Sequence, residues 1–329
     1  MKEIVLTGIK PTGIPHIGNY FGAIAPGIEL AKKYENAMFF LADYHALNTI
    51  KDPKLFKEYS NVLAATWLAC GIDETNAVFY RQSDIPEIFE LNWIISNVTS
   101  KGLLNRAHAY KAAVQNNLEN GQDADFGINM GLYNYPVLMA ADILVMNSKL
   151  VPVGLDQKQH VEIARDIASA FNSTYGKCFE VPEPLISESF GTLVGLDGRK
   201  MSKSYNNTIV LFSDENTLKK QINKIVTDSK LPGEEKDTNC TLFKIYSLFA
   251  KEEEIEEMKL AFKNGIGWGD AKKATFEVAN RFLAPMREKY NYYISHPEVV
   301  EKILQSGAEK AREIAKRTLE KVRKLIGKN

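Results

Sequence analysis

Along the first two hundred positions, apolar residues alternate between two periods. A β-branched run, "EIVLTG", ends in glycine and is followed by "HIGNYFGAIAPGIELAKKY", whose apolar positions recur at helical spacing. The pattern predicts a strand, a glycine turn and a helix. "NAMFFLADYHAL" then reads as a second buried strand, "LFKEYSNVLAATWLACG" as a helix closed by Gly71, and "NAVFYRQS" as a third strand. Alternation of this kind predicts a parallel sheet with helices on both faces.

The rhythm breaks at "EIFELNWIISNVTSKGLLNRAHAYKAAVQNNLENGQ", which predicts a mostly helical insertion over about residues 84–128. "YPVLMAADILVMN" resumes as a helix with Pro136 in its first turn, and "LVPVG" as a strand. "DQKQHVEIARDIASAFN" reads as a helix capped by Asp156, with Gln159 completing a capping box. "GTLVGLDGRKMSKS" is expected to be a strand running into an exposed, mobile basic loop. Beyond Asp214 only helical patterns occur, ending in "AEKAREIAKRTLEKVRKLIG", where Ile314, Leu319, Val322 and Leu325 share a stripe. The expected organisation is a Rossmann-like α/β domain over residues 1–212 with a parallel sheet, and a smaller α-helical region over residues 213–329 whose last helix can pack back on the first domain.

Composition narrows the function classes. No apolar run approaches the roughly 18 residues of a membrane span, and "MKEIVLTGIK" has the pattern of a strand entering a turn, so a cytoplasmic protein is expected. With 41 basic and 41 acidic residues, any nucleic-acid partner must meet a local basic surface. Cys70, Cys178 and Cys240 are widely separated, which supports neither a zinc site nor a disulfide framework; they read as buried thiols, and no protein-held metal is expected.

Two polar segments carry the candidate chemistry. A glycine turn between strand and helix lets backbone approach an anion, and His16 and Asn19 near the helix start can donate to phosphate oxygens or simply cap the helix. Lys200 and Lys203 flank Met201 and Ser202 in a loop with Gly198 before it and Asn206 and Asn207 after it. Lysines so placed can meet the charge that builds on departing pyrophosphate, or be merely solvated. Asp142 is a third signal, a carboxylate in an apolar helix one turn after Met139. Either it is paired internally or it waits for a ligand donor such as an indole N–H.

"HIGN" and "KMSKS" together resemble the two signatures of class I aminoacyl-tRNA synthetases, and "YPVLMAADIL" with "VPVGLDQKQH" resembles the tryptophanyl-tRNA synthetases over nearly the whole chain. The resemblance implies ATP-dependent attachment of L-tryptophan to tRNA(Trp) through a tryptophanyl-adenylate, with Mg2+ accompanying the nucleotide, in a homodimer. It makes His16, Asn19, Lys200 and Lys203 catalytic. Lys10, Pro11, Thr12, Gly18 and Asn19 fall on the ATP-binding turn, and Gly154, Leu155 and Asp156 on the ribose side. The nucleotide loop runs from Lys200 through Met201, Ser202 and Lys203 to Ser204. For tryptophan, the implied indole acceptor is Asp142, the apolar walls are Met139, Val151 and Val153 beside Gly8, and the amino-group contacts are Tyr135 and Gln157. Relatives carry "FKEK" in the insertion where this chain has "YKAA", so Lys111 remains as a possible pyrophosphate contact and Ala113 replaces the second lysine. The helical C-terminal region corresponds to an anticodon-binding domain. A tyrosine-specific synthetase and a non-catalytic tRNA-binding paralogue are the alternatives. The "AADIL" and "DQKQH" pattern argues against the first, and the intact histidine, asparagine and lysines against the second.

Overall fold

A computed structural model of the chain describes residues 3–75, 77–186 and 193–328, with every side chain among them except that of Asp156. Among these residues, β1 (Val5–Ile9), β2 (Ala37–Leu41), β3 (Val78–Arg81), β4 (Leu150–Val153) and β5 (Glu183–Ile186) form one parallel sheet in the order β3-β2-β1-β4-β5. The chain therefore winds outward from β1 to β3, then returns to the other side of β1. Such a reversal opens a crevice beyond the carboxyl ends of β1 and β4.

β2 is apolar and buried throughout, as a strand covered on both faces must be. Its alternate side chains feed two cores: Phe39 and Leu41 join Trp67 on one face, while Met38 and Phe40 join Tyr80 on the other. β5 was not anticipated. Its segment, "VPEPLIS", carries two prolines that erase a strand signal, yet at the edge of a sheet a missing N–H is tolerated.

The helix expected after β1 is interrupted. α1 (Ile17–Asn19) opens into a π turn over Tyr20–Ile24 before α2 (Ala25–Lys33). The Ala25 N–H reaches back to the Tyr20 carbonyl, and Pro26, next in line, has no N–H for the α pattern. After α3 (Asp43–Ala46), α4 (Pro53–Cys70) starts at an Asp52 cap and stops at Gly71, whose φ of 113° suits glycine. The stretch read as an insertion holds three helices, α5 (Pro86–Ser96), α6 (Lys101–Leu104) and α7 (His108–Glu119).

Two expected helix starts shift. α8 (Met130–Val145) begins well before Pro136, because Asn129 caps it by accepting the Leu132 N–H at 2.9 Å; the proline lies inside the helix. α9 (Lys158–Tyr175) follows a 3-10 turn over Leu155–Gln157, so Asp156 lies in that turn and is not the cap. Gln159 forms no capping box. Its amide accepts from the His108 N–H at 2.9 Å and donates to the Arg106 carbonyl at 3.1 Å, fastening the start of α7 to α9.

The strand expected at "GTLV" begins on Gly191 and Thr192, which lie outside the described residues; Val194 makes only an isolated antiparallel bridge with Lys200. From there the chain is helical: α10 (Glu215–Asn223), α11 (Thr241–Phe249), α12 (Glu252–Lys263), α13 (Trp268–Ser295) and α14 (Pro297–Leu325). α14 crosses β3 so closely that a Cβ on Gly307 would lie 1.8 Å from the Phe79 carbonyl oxygen. Further along α14, Leu319 and Val322 are buried, with Ile314 and Leu325 packed against the same core. Ion pairs fix the same helix: Glu301 with Arg81 at 2.6 Å, Arg312 with Glu87 at 2.9 Å, and Arg323 with Glu90. Of the thiols, Cys178 is buried, whereas Cys70 and Cys240 are only half-buried. No helix among the described residues is long and apolar enough to cross a membrane.

Candidate active site

A cavity of about 890 Å³ occupies the crevice at the ends of β1 and β4. One end is apolar with a single carboxylate, and the other is cationic.

The apolar end is walled by Phe40, Met139, Val151 and Val153. Gly8 is there because nothing larger fits: a Cβ would lie 2.4 Å from the Phe40 ring. Asp142, 1% exposed, faces this space from α8. Burial raises its pKa, opposed by hydrogen bonds from His45 and Gln82. His45 Nε2 lies 2.9 Å from Oδ2, while the Gln82 amide nitrogen donates to Oδ1 at 2.8 Å and Oδ2 at 3.0 Å. Gln82 is itself fixed, since its oxygen accepts the Tyr44 N–H at 3.1 Å. Of the two readings left open for Asp142, internal pairing is therefore present. A carboxylate offers about four acceptor positions, so the pairing still leaves room for one ligand donor. Tyr135, Gln157 and His160 line the adjoining wall.

At the cationic end the two distant sequence segments meet through backbone. The Ile17 N–H donates to the Ile209 carbonyl at 2.9 Å and the Leu211 N–H to the Pro15 carbonyl at 3.1 Å, so the segment that follows the lysine loop lies against the "HIGN" turn through an isolated antiparallel bridge between His16 and Val210. Lys203 reaches over that turn: a Cβ on Gly13, whose φ is 129°, would lie 2.9 Å from Nζ. Burial lowers the pKa of both Lys10 and Lys203, and no carboxylate among the described residues opposes it. Both ammonium groups are only partly desolvated and stay open to the cavity they line, where an anionic ligand would stabilise their charged form. His16 is driven down to about 4, first by burial and then by Lys203, so it is neutral at pH 7. Its Nδ1 is buried without a partner, and its backbone N–H donates to the Asn19 side chain at 3.0 Å.

Asn207 shapes the lysine loop. Its oxygen accepts the Ser202 N–H at 2.8 Å; its amide nitrogen donates to Asp197 at 2.7 Å and to the Lys200 carbonyl at 3.0 Å. Met201, 5% exposed, anchors the loop in the core near Gly18.

Most residues singled out in the sequence line this one cavity: Lys10, Thr12, His16, Gly18 and Asn19 on the turn, Gly154 and Gln157 after β4, and Lys200 to Lys203 on the loop. Pro11, Leu155 and Ser204 do not line it, nor does Lys111, which is exposed on α7; the Asp156 side chain lies outside the described ones. The sequence reading passed over His45, Gln82 and His160. A signal existed for the first two, polar residues just past the carboxyl ends of buried strands, where parallel sheets place ligand contacts. Among the described residues no group of three or more His, Cys, Asp or Glu could hold a metal ion.

Comparison with known proteins identifies the family. Residues 2–284 match the family model of tRNA synthetases class I (W and Y). The tryptophan-tRNA ligase of Neisseria meningitidis is 52% identical over 329 residues, covering 99% of this chain and 98% of that protein. That of Bordetella parapertussis is 53% identical over 331 residues, covering 99% of this chain and 73% of that protein. The crystal structure of tryptophanyl-tRNA synthetase from Campylobacter jejuni, complexed with ADP and tryptophan, superposes with a TM-score of 0.90 at 46% identity, covering 98% of this chain and 99% of that one. With its sheet order, its two joined signature segments and relatives of this identity over its full length, the chain belongs to the tryptophanyl-tRNA synthetases, within the class I tRNA synthetases.

Proposed function

We propose that the cavity activates L-tryptophan with ATP and passes it to tRNA(Trp). The carrying observation is that an apolar end holding one acceptor, Asp142, is continuous with an end holding Lys10, Lys200 and Lys203. An indole fits the first, with its N–H on Asp142 and its rings against Met139, Val151 and Val153; a triphosphate fits the second.

In the first step the tryptophan carboxylate oxygen attacks the α-phosphorus of ATP, the bond to the bridging oxygen breaks, and pyrophosphate leaves with the electron pair. The nucleophile is already ionised, so no general base is required. Catalysis rests on alignment and on positive charge around the departing group. Lys200 and Lys203 supply that charge, and neutral His16 and Asn19 donate to phosphate oxygens. In the second step a terminal ribose hydroxyl of tRNA(Trp) attacks the activated carbonyl, giving the ester and AMP. The groups at the phosphate end are lysines, hydroxyls and an amide, which suit phosphate oxygens better than a cation; Mg2+ brought in with the nucleotide would add to the charge neutralisation.

Residues 1–212 perform this chemistry, and the helices of residues 213–329 hold the anticodon end of tRNA, in a cytoplasmic homodimer. Incubation with ATP, tRNA(Trp) and each aromatic amino acid tests the reading. It predicts tryptophanyl-tRNA with one AMP formed per ester, whereas a tRNA-binding paralogue would form neither.

A further inference from the structure

Tyr135 is in ring contact with two imidazoles. His45 meets it edge-on, with centroids 6.4 Å apart, and His160 of α9 is hydrogen-bonded through Nε2 to the Tyr135 hydroxyl. His160 is 5% exposed and shares the cavity wall. The direction of this hydrogen bond decides what the hydroxyl offers a ligand. A phenol is a stronger acid than a neutral imidazole N–H, and an unprotonated imidazole nitrogen is a stronger base than a phenolic oxygen, so the hydroxyl donates and Nε2 accepts. The hydroxyl hydrogen is thereby occupied, and the oxygen turns its lone pairs to the cavity. In the opposite tautomer Nε2–H would donate, leaving a hydroxyl donor that suits a carboxylate.

The family resemblance already implies that Tyr135 meets the amino group; we propose that His160 is a positioning residue that makes Tyr135 a pure acceptor and so fixes its preference for the α-ammonium group over the carboxylate. The inference rests on the tryptophan-activating reading and adds how the ammonium end is told from the carboxylate end. Two carboxyl-free or amine-free analogues separate these roles: tryptamine keeps the ammonium, and 3-indolepropionate keeps only the carboxylate.

The experiment uses the full chain and measures tryptophan KM in ATP/pyrophosphate exchange, with both analogues as competing inhibitors. His160→Leu is expected to weaken tryptophan and tryptamine about tenfold or more, the scale of one hydrogen bond to a charged group, while 3-indolepropionate changes by less than about twofold. His160→Gln, which keeps an acceptor, should restore tryptamine to within about threefold of the parent. Tyr135→Phe should lose the same two ligands, and adding His160→Leu to it should cost nothing more, because the histidine acts through the hydroxyl. Where His160→Leu does not fold, His160→Asn, too short to reach the hydroxyl, replaces it. Equal weakening of 3-indolepropionate, failure of glutamine to rescue, or multiplying losses in the double variant would each overturn the proposal. Failure of the underlying reading looks different: the unaltered chain would show no tryptophan-dependent exchange.

Discussion

Asp142 and His45 share a hydrogen bond of 2.9 Å across nearly a hundred residues of chain, in a site only 1% exposed at the carboxylate. Gln82, fully buried, braces the same carboxylate from the other side. The acceptor proposed for the indole is thus held in one orientation before any ligand arrives, which is how a buried polar group gains its power to discriminate.

That bracing couples specificity to stability. Asp142→Ala strands the Gln82 amide and should cost about 1–3 kcal/mol, the penalty for a buried donor left unpaired. Asp142→Asn keeps an acceptor for Gln82 and removes a charge that burial opposes, so its urea midpoint should stay close to the parent's. Equal destabilisation by both substitutions would contradict this account of the pairing.

The lysine loop makes a kinetic prediction. Lys203→Ala should lower the rate of adenylate formation by orders of magnitude and leave tryptophan affinity within a few-fold, as for a contact that strengthens in the transition state. Asn207→Ala should show the same pattern in milder form, since Asn207 shapes the loop without reaching into the cavity. Single-turnover kinetics with tryptophan titrated separately checks both, and a comparable loss of tryptophan affinity would count against the assignment.

His16 gives a pH prediction with a definite sign. Its folded pKa of about 4 lies below the ordinary value of 6.5, so between these values the unfolded chain binds the extra proton and stability falls as pH falls. Above pH 6.5 this contribution is constant. The stability difference between the parent and His16→Gln should therefore shift against the parent by up to about 3 kcal/mol on acidification from pH 7 to 4. A difference that does not change with pH would show that His16 is not held neutral by the fold.

Much of the architecture could be read from pattern because β1 to β4 are short apolar runs with glycine or polar ends, and Gly71 closes its helix by local chemistry. What escaped depended on tertiary context. Pro182 and Pro184 hide β5, whose place at the sheet edge permits them. Asn129 starts α8 ahead of Pro136, and the 3-10 turn after Gly154 displaces the expected Asp156 cap. In the site, the two signature segments were legible as motifs, whereas the bracing of Asp142 needs residues 45, 82 and 142 to converge. No local pattern encodes that. Lys111 illustrates the reverse case, a residue suggested by motif position that lies exposed and outside the cavity lining.

The close crossing of α14 over β3 predicts a large stability effect far from the chemistry. Gly307→Ala would place Cβ 1.8 Å from the Phe79 carbonyl oxygen, so the helix must lift from the strand. A loss of about 2 kcal/mol or more is expected, in the range for overpacking at a buried contact. Denaturant unfolding measures it, and a change under 0.5 kcal/mol, the usual surface value, would contradict the packing. The same contact explains why truncation after the lysine loop is a poor probe of tRNA binding: it would uncover β3.

The central claim is that Asp142 turns an apolar aromatic pocket into one that recognises indole. Amino-acid-dependent ATP/pyrophosphate exchange with tryptophan, tyrosine and phenylalanine, compared between the parent chain and Asp142→Ala, tests it most directly. The account predicts a preference for tryptophan on the order of 10⁴-fold in the parent, and a steep rise in the tryptophan requirement with a narrowed gap to the other two in the variant, at unchanged ATP affinity. A variant that folds and keeps the parent's preference would show that Asp142 is an internally paired core carboxylate with no part in choosing the substrate.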